Sequence, residues 1–190
     1  MRKGSDALLF WPVIAVVALL DVATKAIAVR ALAPQRVPHE VVGNAVRLTL
    51  VYNPGAAFGL NLGPASRWIF TALTIVALAI LWRLYRSTRR GEIMRVLALA
   101  LVCAGAIGNL LDRVRSDLGV VDFIDVGFGT ARWPTFNVAD MAVSVGAVLL
   151  AWVLWQEDRQ LAGTTAAGEA TPPSGPPLAG ALPTEGSDLA

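Results

Sequence analysis

Four apolar runs, at about residues 8–32, 68–85, 94–111 and 138–155, constrain this chain more than anything else in it. An α-helix rises about 1.5 Å per residue, so ~17–20 apolar residues cover the roughly 30 Å of a bilayer's hydrocarbon. Each run is near or above that length. Only 16% of the 190 residues are charged, against about 25% in a soluble domain. The shortfall is concentrated in the runs, which argues for membrane spans rather than one soluble core. Arg2 and Lys3 ahead of the first run look like the start of a cleaved signal peptide. Yet the run continues through residues 22–32 with Lys25 inside it and ends on no clean small-residue cleavage site, so a retained helix is expected. The expected fold class is an all-α integral membrane protein: a four-transmembrane-helix bundle with a small extracytoplasmic β-rich loop region.

Charge orients the bundle. Residues 1–156 carry 15 basic and 9 acidic side chains, whereas 157–190 carry one basic and five acidic. Anionic headgroups and topology account for the basic surplus without nucleic acid. Five arginines (83, 86, 89, 90 and 95) crowd the link between the second and third runs, a cytoplasmic marker under the positive-inside rule. Arg2 and Lys3 agree, because four spans return both termini to one side. The organisation expected is a cytoplasmic N-terminus at 1–7, a membrane domain at 8–156 and a disordered cytoplasmic tail at 157–190. From about Gly163 the tail is Ala, Gly, Pro, Thr and Ser with scattered acids, too poor in apolar surface to offset its ordering entropy. Segments 33–67 and 112–137 then lie outside. Within the first, Val46–Tyr52 is rich in β-branched residues and reads as a short strand stopped by Asn53-Pro54-Gly55. His39 reads as a surface residue. Cys103, the lone cysteine, permits no intrachain disulfide and reads as packing within its apolar run.

Ionisable groups inside spans are costly and point to function. Asp21 and Lys25 lie at i and i+4 in the first run, the favourable order for a helical ion pair. As a structural feature they would neutralise each other and pin the bundle. Asp21 stands about 20 Å up from Leu8, in the outer half of the bilayer. Other polar groups converge on that level: Asn109, Asp112 and Arg113 end the third run, Asn137 and Asp140 open the fourth, and Asn53, Gly55 and Phe58 precede the second. Asp122 lies in the apolar stretch Val120-Val121-Asp122-Phe123-Ile124. Asn and Asp also belong at helix ends for capping alone, so topology leaves the structural reading open. With one His and one Cys, zinc and Cys/His chemistry have few ligands to draw on, and no metal or cofactor is expected. A Ser144–Lys25 dyad is disfavoured because Ser144 lies deeper than Asp140. Carboxylates remain. Two held close share a proton, one serving as base toward water and the other as acid. Asp140, in the first turn of a helix, would favour the ionised form, and Asp122 among apolar neighbours the protonated one. A proton-relaying transporter and a non-catalytic scaffold are the rival classes. The first would need ionisable groups continuing inward, and the second leaves acids in both a loop and a helix start unexplained.

The motifs Asp21-Val22-Ala23-Thr24-Lys25, Tyr52-Asn53-Pro54-Gly55-Ala56-Ala57-Phe58, Gly105-Ala106-Ile107-Gly108-Asn109-Leu110-Leu111-Asp112-Arg113, Val120-Val121-Asp122-Phe123 and Phe136-Asn137-Val138-Ala139-Asp140 together resemble the lipoprotein signal peptidases, the type II signal peptidases of bacteria. The resemblance covers about residues 8–156. It implies an aspartic endopeptidase with Asp122 and Asp140 as the catalytic dyad. Asp21, Lys25, Asn53, Gly55, Asn109, Asp112, Arg113 and Asn137 would line or support the site. It also implies a diacylglyceryl-modified prolipoprotein as substrate, cut immediately before the lipidated cysteine, and inhibition by globomycin. The expected setting is the bacterial plasma membrane, as a monomer in contact with membrane lipid, with the active site near the outer leaflet. Pro54 departs from the family's more usual Thr and Ala104 from its frequent Gly; Pro54 would stiffen the Asn53 turn.

Overall fold

A computed structural model describes residues 4–55 and 63–169 of the chain. Four helices in it are long and apolar enough to cross a membrane: α1 (Gly4–Ala31), α2 (Ser66–Ser87), α3 (Ile93–Arg115) and α4 (Val138–Glu169). Leu8, Val16, Leu19 and Ile27 of α1, Leu73, Ile75, Val76 and Ile80 of α2, and Val145 and Val148 of α4 are all exposed. Water would penalise so much bare apolar surface, whereas hydrocarbon chains accept it. The helix α3 is the buried one, with Val96, Leu99, Ala100, Cys103, Ala104 and Asn109 all buried. One apolar cluster joins it to Phe10 and Ile14 of α1. Small residues let α4 approach: Gly105 faces the Ala139 carbonyl and Val143, and a Cβ on Gly146 would sit 2.7 Å from Val102 and 2.9 Å from the Ala98 carbonyl.

The four strands form one antiparallel sheet ordered β1 (Pro38–Val42), β2 (Val46–Asn53), β3 (Val120–Phe128) and β4 (Ala131–Arg132). Only β2 matches a strand expected as such, extended by one residue through Asn53. Burial explains the others. Val121 and Phe123 of β3 and Leu50 of β2 pack with Ala28 and Leu32 at the end of α1, which seats the sheet on the bundle. The segment after β4 also hydrogen-bonds to β3, Phe136 donating to the Ile124 carbonyl at 3.0 Å and accepting from Ile124 at 2.8 Å. That pairing delivers the start of α4 to the middle of β3.

Contacts divide the chain into two units, 1–154 and 155–190. Within the second, the Arg159 guanidinium lies 4.1 Å from the Trp155 ring. The fourth helix corrects one expectation. Disorder was expected from 157, with tail composition from about Gly163, but helix continues to Glu169. Once a helix is nucleated, each added residue gains a backbone hydrogen bond, and Ala162, Ala166 and Ala167 carry the best helix propensity. Residues 170–190 lie outside the described part.

Candidate active site

At the sheet end of the bundle, α1, α3, α4, β2 and β3 bring their polar side chains into one network. On α1, Lys25 is 3% exposed and its ammonium has three partners: Asp21 Oδ2 at 2.7 Å, Asp112 Oδ2 at 2.8 Å and Asn109 Oδ1 at 3.0 Å. An ammonium has three protons, so its donor capacity is fully used. The other oxygen of Asp21 accepts from the Ala139 backbone N–H at 2.9 Å, in the first turn of α4, where N–H groups lack intrahelical partners. Asp21 thereby ties α1 to α4, while Lys25 ties it to α3. Gly108 makes room for it, since a Cβ there would lie 2.5 Å from Asp21 Oδ2. Asp112 also accepts from the Val121 N–H at 3.2 Å, fixing β3 to α3.

Asn137 and Asp140 start α4 as a reciprocal cap. The Asp140 N–H donates to Asn137 Oδ1 at 2.9 Å, and the Asn137 N–H donates to Asp140 Oδ2 at 3.2 Å. The amide group of Asn137 is fully buried and donates to Asp122 Oδ1 at 2.7 Å, with Asn109 Oδ1 at 3.2 Å and the Val121 carbonyl at 3.3 Å sharing its protons. Asn109 in turn donates to Asp140 Oδ1 at 2.7 Å. Asp122 and Asp140 are thus linked through two asparagine amides, one on each side. On its other oxygen Asp122 accepts from Asn53 Nδ2 at 3.2 Å. Gly55 holds that asparagine by donating its N–H to Asn53 Oδ1 at 3.0 Å. Its φ of +114° and the Phe70 ring carbon 2.9 Å from a would-be Cβ admit only glycine.

Burial dominates the electrostatics of Asp122. Asp122 is 3% exposed in β3. Burial first, and the neighbouring Asp140 charge second, push its pKa up to about 7, against smaller opposing effects from Asn53, Asn137 and Lys25. Asp140 accepts two hydrogen bonds in the first turn of α4, from the Asn109 amide and the Asn137 backbone N–H. Arg113 donates to the Asn109 carbonyl at 3.2 Å and lies within electrostatic reach of Asp122, Asp140 and Asp112. Among the described residues its buried Nε has no hydrogen-bond partner.

The ten residues singled out in the sequence therefore lie in or directly beside one site; Phe58 falls outside the described residues. A second polar cluster went unnoticed. Asp125, three residues past Asp122 and on the opposite side of β3, is 6% exposed and pairs with Arg47 at 3.0 Å and Arg132 at 2.7 Å. It also accepts from Thr49 at 3.2 Å. Burial raises the Asp125 pKa, but Arg132, Arg47 and Thr49 outweigh it and hold the carboxyl below its ordinary value. A second acid in the apolar stretch Phe123–Gly127 was the available signal. Arg67, also missed, donates to the Arg113 carbonyl at 2.6 Å and pairs with Asp117.

The family model described as signal peptidase (SPase) II matches residues 13–156. A lipoprotein signal peptidase of Cupriavidus taiwanensis is 43% identical over 151 residues, covering 77% of this chain and 83% of that protein. One of Geobacter metallireducens is 41% identical over 155 residues, covering 80% and 93%. A solved bacterial membrane enzyme, determined by the in meso method at 2.3 Å, superposes with a TM-score of 0.70 at 30% identity over 82% of this chain and 90% of that one.

Proposed function

The chain belongs to the signal peptidase II family, and we propose that it is a membrane aspartic endopeptidase removing signal peptides from diacylglyceryl-modified prolipoproteins. The supporting observation is the pair of carboxylates, Asp122 and Asp140, joined through Asn109 and Asn137. Asp140, ionised, takes a proton from water as the oxygen attacks the scissile carbonyl. Asp122, protonated near neutral pH, donates to the carbonyl oxygen. Collapse of the tetrahedral intermediate breaks the C–N bond and returns a proton to the leaving amine, giving a carboxylate and an amine from one water. Asn53 and Asn137 orient Asp122, Asn109 orients Asp140, and Lys25 with Asp21 and Asp112 holds the helix ends in register. The cut falls immediately before the lipidated cysteine. A diacylglyceryl group in the outer leaflet, and a signal helix still in the membrane, put that bond at the level of the site. Globomycin-type cyclic peptides are expected to inhibit. Purified protein should cleave a lipidated precursor at that position; a precursor left intact would sink the proposal.

The site faces the outer leaflet of a bacterial plasma membrane, both termini are cytoplasmic, and the enzyme acts as a monomer. The arginines of the α2–α3 link support that orientation. In a Cys103→Ala background, single cysteines at Ser87, in the last turn of α2, and at exposed Leu118 should react with an impermeant thiol reagent from opposite sides. Reaction of Ser87→Cys from outside intact cells would reverse the topology.

Asn53 carries a pH prediction. Its hydrogen bond favours ionised Asp122, so Asn53→Ala raises the Asp122 pKa further. Because Asp122 must be protonated to act, cleavage declines as pH rises past about 7. In the variant that decline should move upward, by about one pH unit for the loss of one charge-assisted hydrogen bond. A shift downward in the pH–rate profile would contradict Asp122 as the acid.

A further inference from the structure

At the other end of the bundle, α1 and α2 meet through four aromatic rings. Phe10 stacks on Tyr85 with centroids 3.7 Å apart and planes 11° from parallel. Trp11 stands edge-on to Phe10 at 5.3 Å and lies 5.9 Å from Trp82. Phe10 is buried, but Trp11 and Trp82 are 52% and 41% exposed. The Arg86 guanidinium sits 5.9 Å from the Trp82 ring. Arg83, Arg86, Arg89 and Arg90 are all exposed, and none has an acidic partner among the described residues. Glu92, the acid of the link, is occupied by the Arg89 backbone N–H at 3.0 Å and by Arg95 at 3.7 Å. Four exposed guanidinium groups without an acidic partner among the described residues thus gather in and just past the last turns of α2, one of them, Arg86, beside the half-exposed Trp82 indole.

We propose that this corner is a binding site for the headgroup of an anionic phospholipid. The arginines engage its phosphate through paired N–H donors, while Trp11 and Trp82 seat the glycerol and upper acyl chains at the membrane–water boundary, where indoles settle. A second copy of the chain would bring like charges together, and a soluble polyanion would leave the indoles uncovered. The proposal rests on insertion of the helices in a membrane and not on the peptidase chemistry, because the corner lies at the opposite helix ends from Asp122 and Asp140.

The test is native mass spectrometry of the full-length protein from micelles holding equal phosphatidylglycerol and phosphatidylcholine. Phosphatidylglycerol should be retained at least about tenfold over phosphatidylcholine, since each arginine near an anionic headgroup contributes about fivefold. The R83Q/R86Q/R89Q/R90Q variant should fall to near parity, and R83K/R86K/R89K/R90K should keep part of the preference. Parity in the native protein, or an undiminished preference in the glutamine variant, overturns the proposal. Displacement of the lipid by millimolar inorganic phosphate also overturns it, by making the site one for free phosphate. If the glutamine variant fails to insert, the native ratio decides alone. Cleavage of a detergent-solubilised precursor should be unchanged in the glutamine variant, so loss of peptidase activity and loss of lipid preference are read separately.

Discussion

Asp122→Asn and Asp140→Asn should each abolish precursor cleavage while leaving a folded protein. Asparagine keeps the size of aspartate and much of its hydrogen bonding but can neither take a proton from water nor donate an acidic one. A general acid or base supplies on the order of 10²–10⁴-fold, and two groups acting as a unit lose more than either share suggests. Stability should move the other way at Asp122. Its folded pKa of about 7 stands above the ordinary carboxylate value, so the native state holds the proton more tightly than the unfolded chain. Stability from this group is therefore intact at low pH and lost as pH rises through the window from about 4 to 7. At pH 8 the buried anion costs on the order of 4 kcal/mol, which Asp122→Asn removes. The variant should melt no lower than the native protein in detergent at that pH, though it does not cleave. Near-normal initial rates for either variant would eliminate the aspartic mechanism. A large fall in the melting temperature of Asp122→Asn at pH 8 would show instead that the carboxylate is a structural anion.

The parts of this site that were legible in the sequence are those whose chemistry conflicts with their surroundings. Asp21 and Lys25 stand out because an apolar run makes them expensive, and Asp122 stands out between Val121 and Phe123 for the same reason. Helix-end residues such as Asn109 and Asn137 were legible in position only. Their role as bridges depends on which way each amide points once α3 and α4 are packed, and that packing is set by Gly105, Gly108 and Gly146, which carry no polar signal. The sheet was legible in one strand of four. The β2 strand shows a run of β-branched residues, but β3 owes its pairing to a partner just over 70 residues away, Val51 opposite Asp122, and short segments cannot announce a partner that distant. Backbone donors were invisible too. The Ala139 N–H to Asp21 and the Val121 N–H to Asp112 exist only because a helix start and a strand edge arrive together.

Lys25→Met should cost about 3–5 kcal/mol of stability, the range for breaking a buried ion pair by removing one partner. The reason lies less in the pair's own attraction than in what remains. Asp21 is 1% exposed and the Asp112 side chain 17% exposed, and without the ammonium each carboxylate is left among apolar helices with a single backbone N–H donor, from Ala139 and Val121 respectively. Asn109 Oδ1 would lose one of its two donors as well, leaving Asn137 alone to hold it. Cleavage should therefore fall alongside melting temperature, unlike the Asp122 variant. Arginine is no substitute, because its planar fork cannot meet three acceptors converging on one point. The compensating change is Asp21→Asn, which neutralises the more buried acid and keeps an oxygen for the Ala139 N–H. In the Asp21→Asn/Lys25→Met double variant the two effects should not add: melting temperature should recover toward that of Asp21→Asn alone, with an interaction of at least about 1 kcal/mol in the cycle. Additive losses across that cycle would mean that Lys25 serves mainly Asp112 and that Asp21 answers chiefly to the α4 backbone.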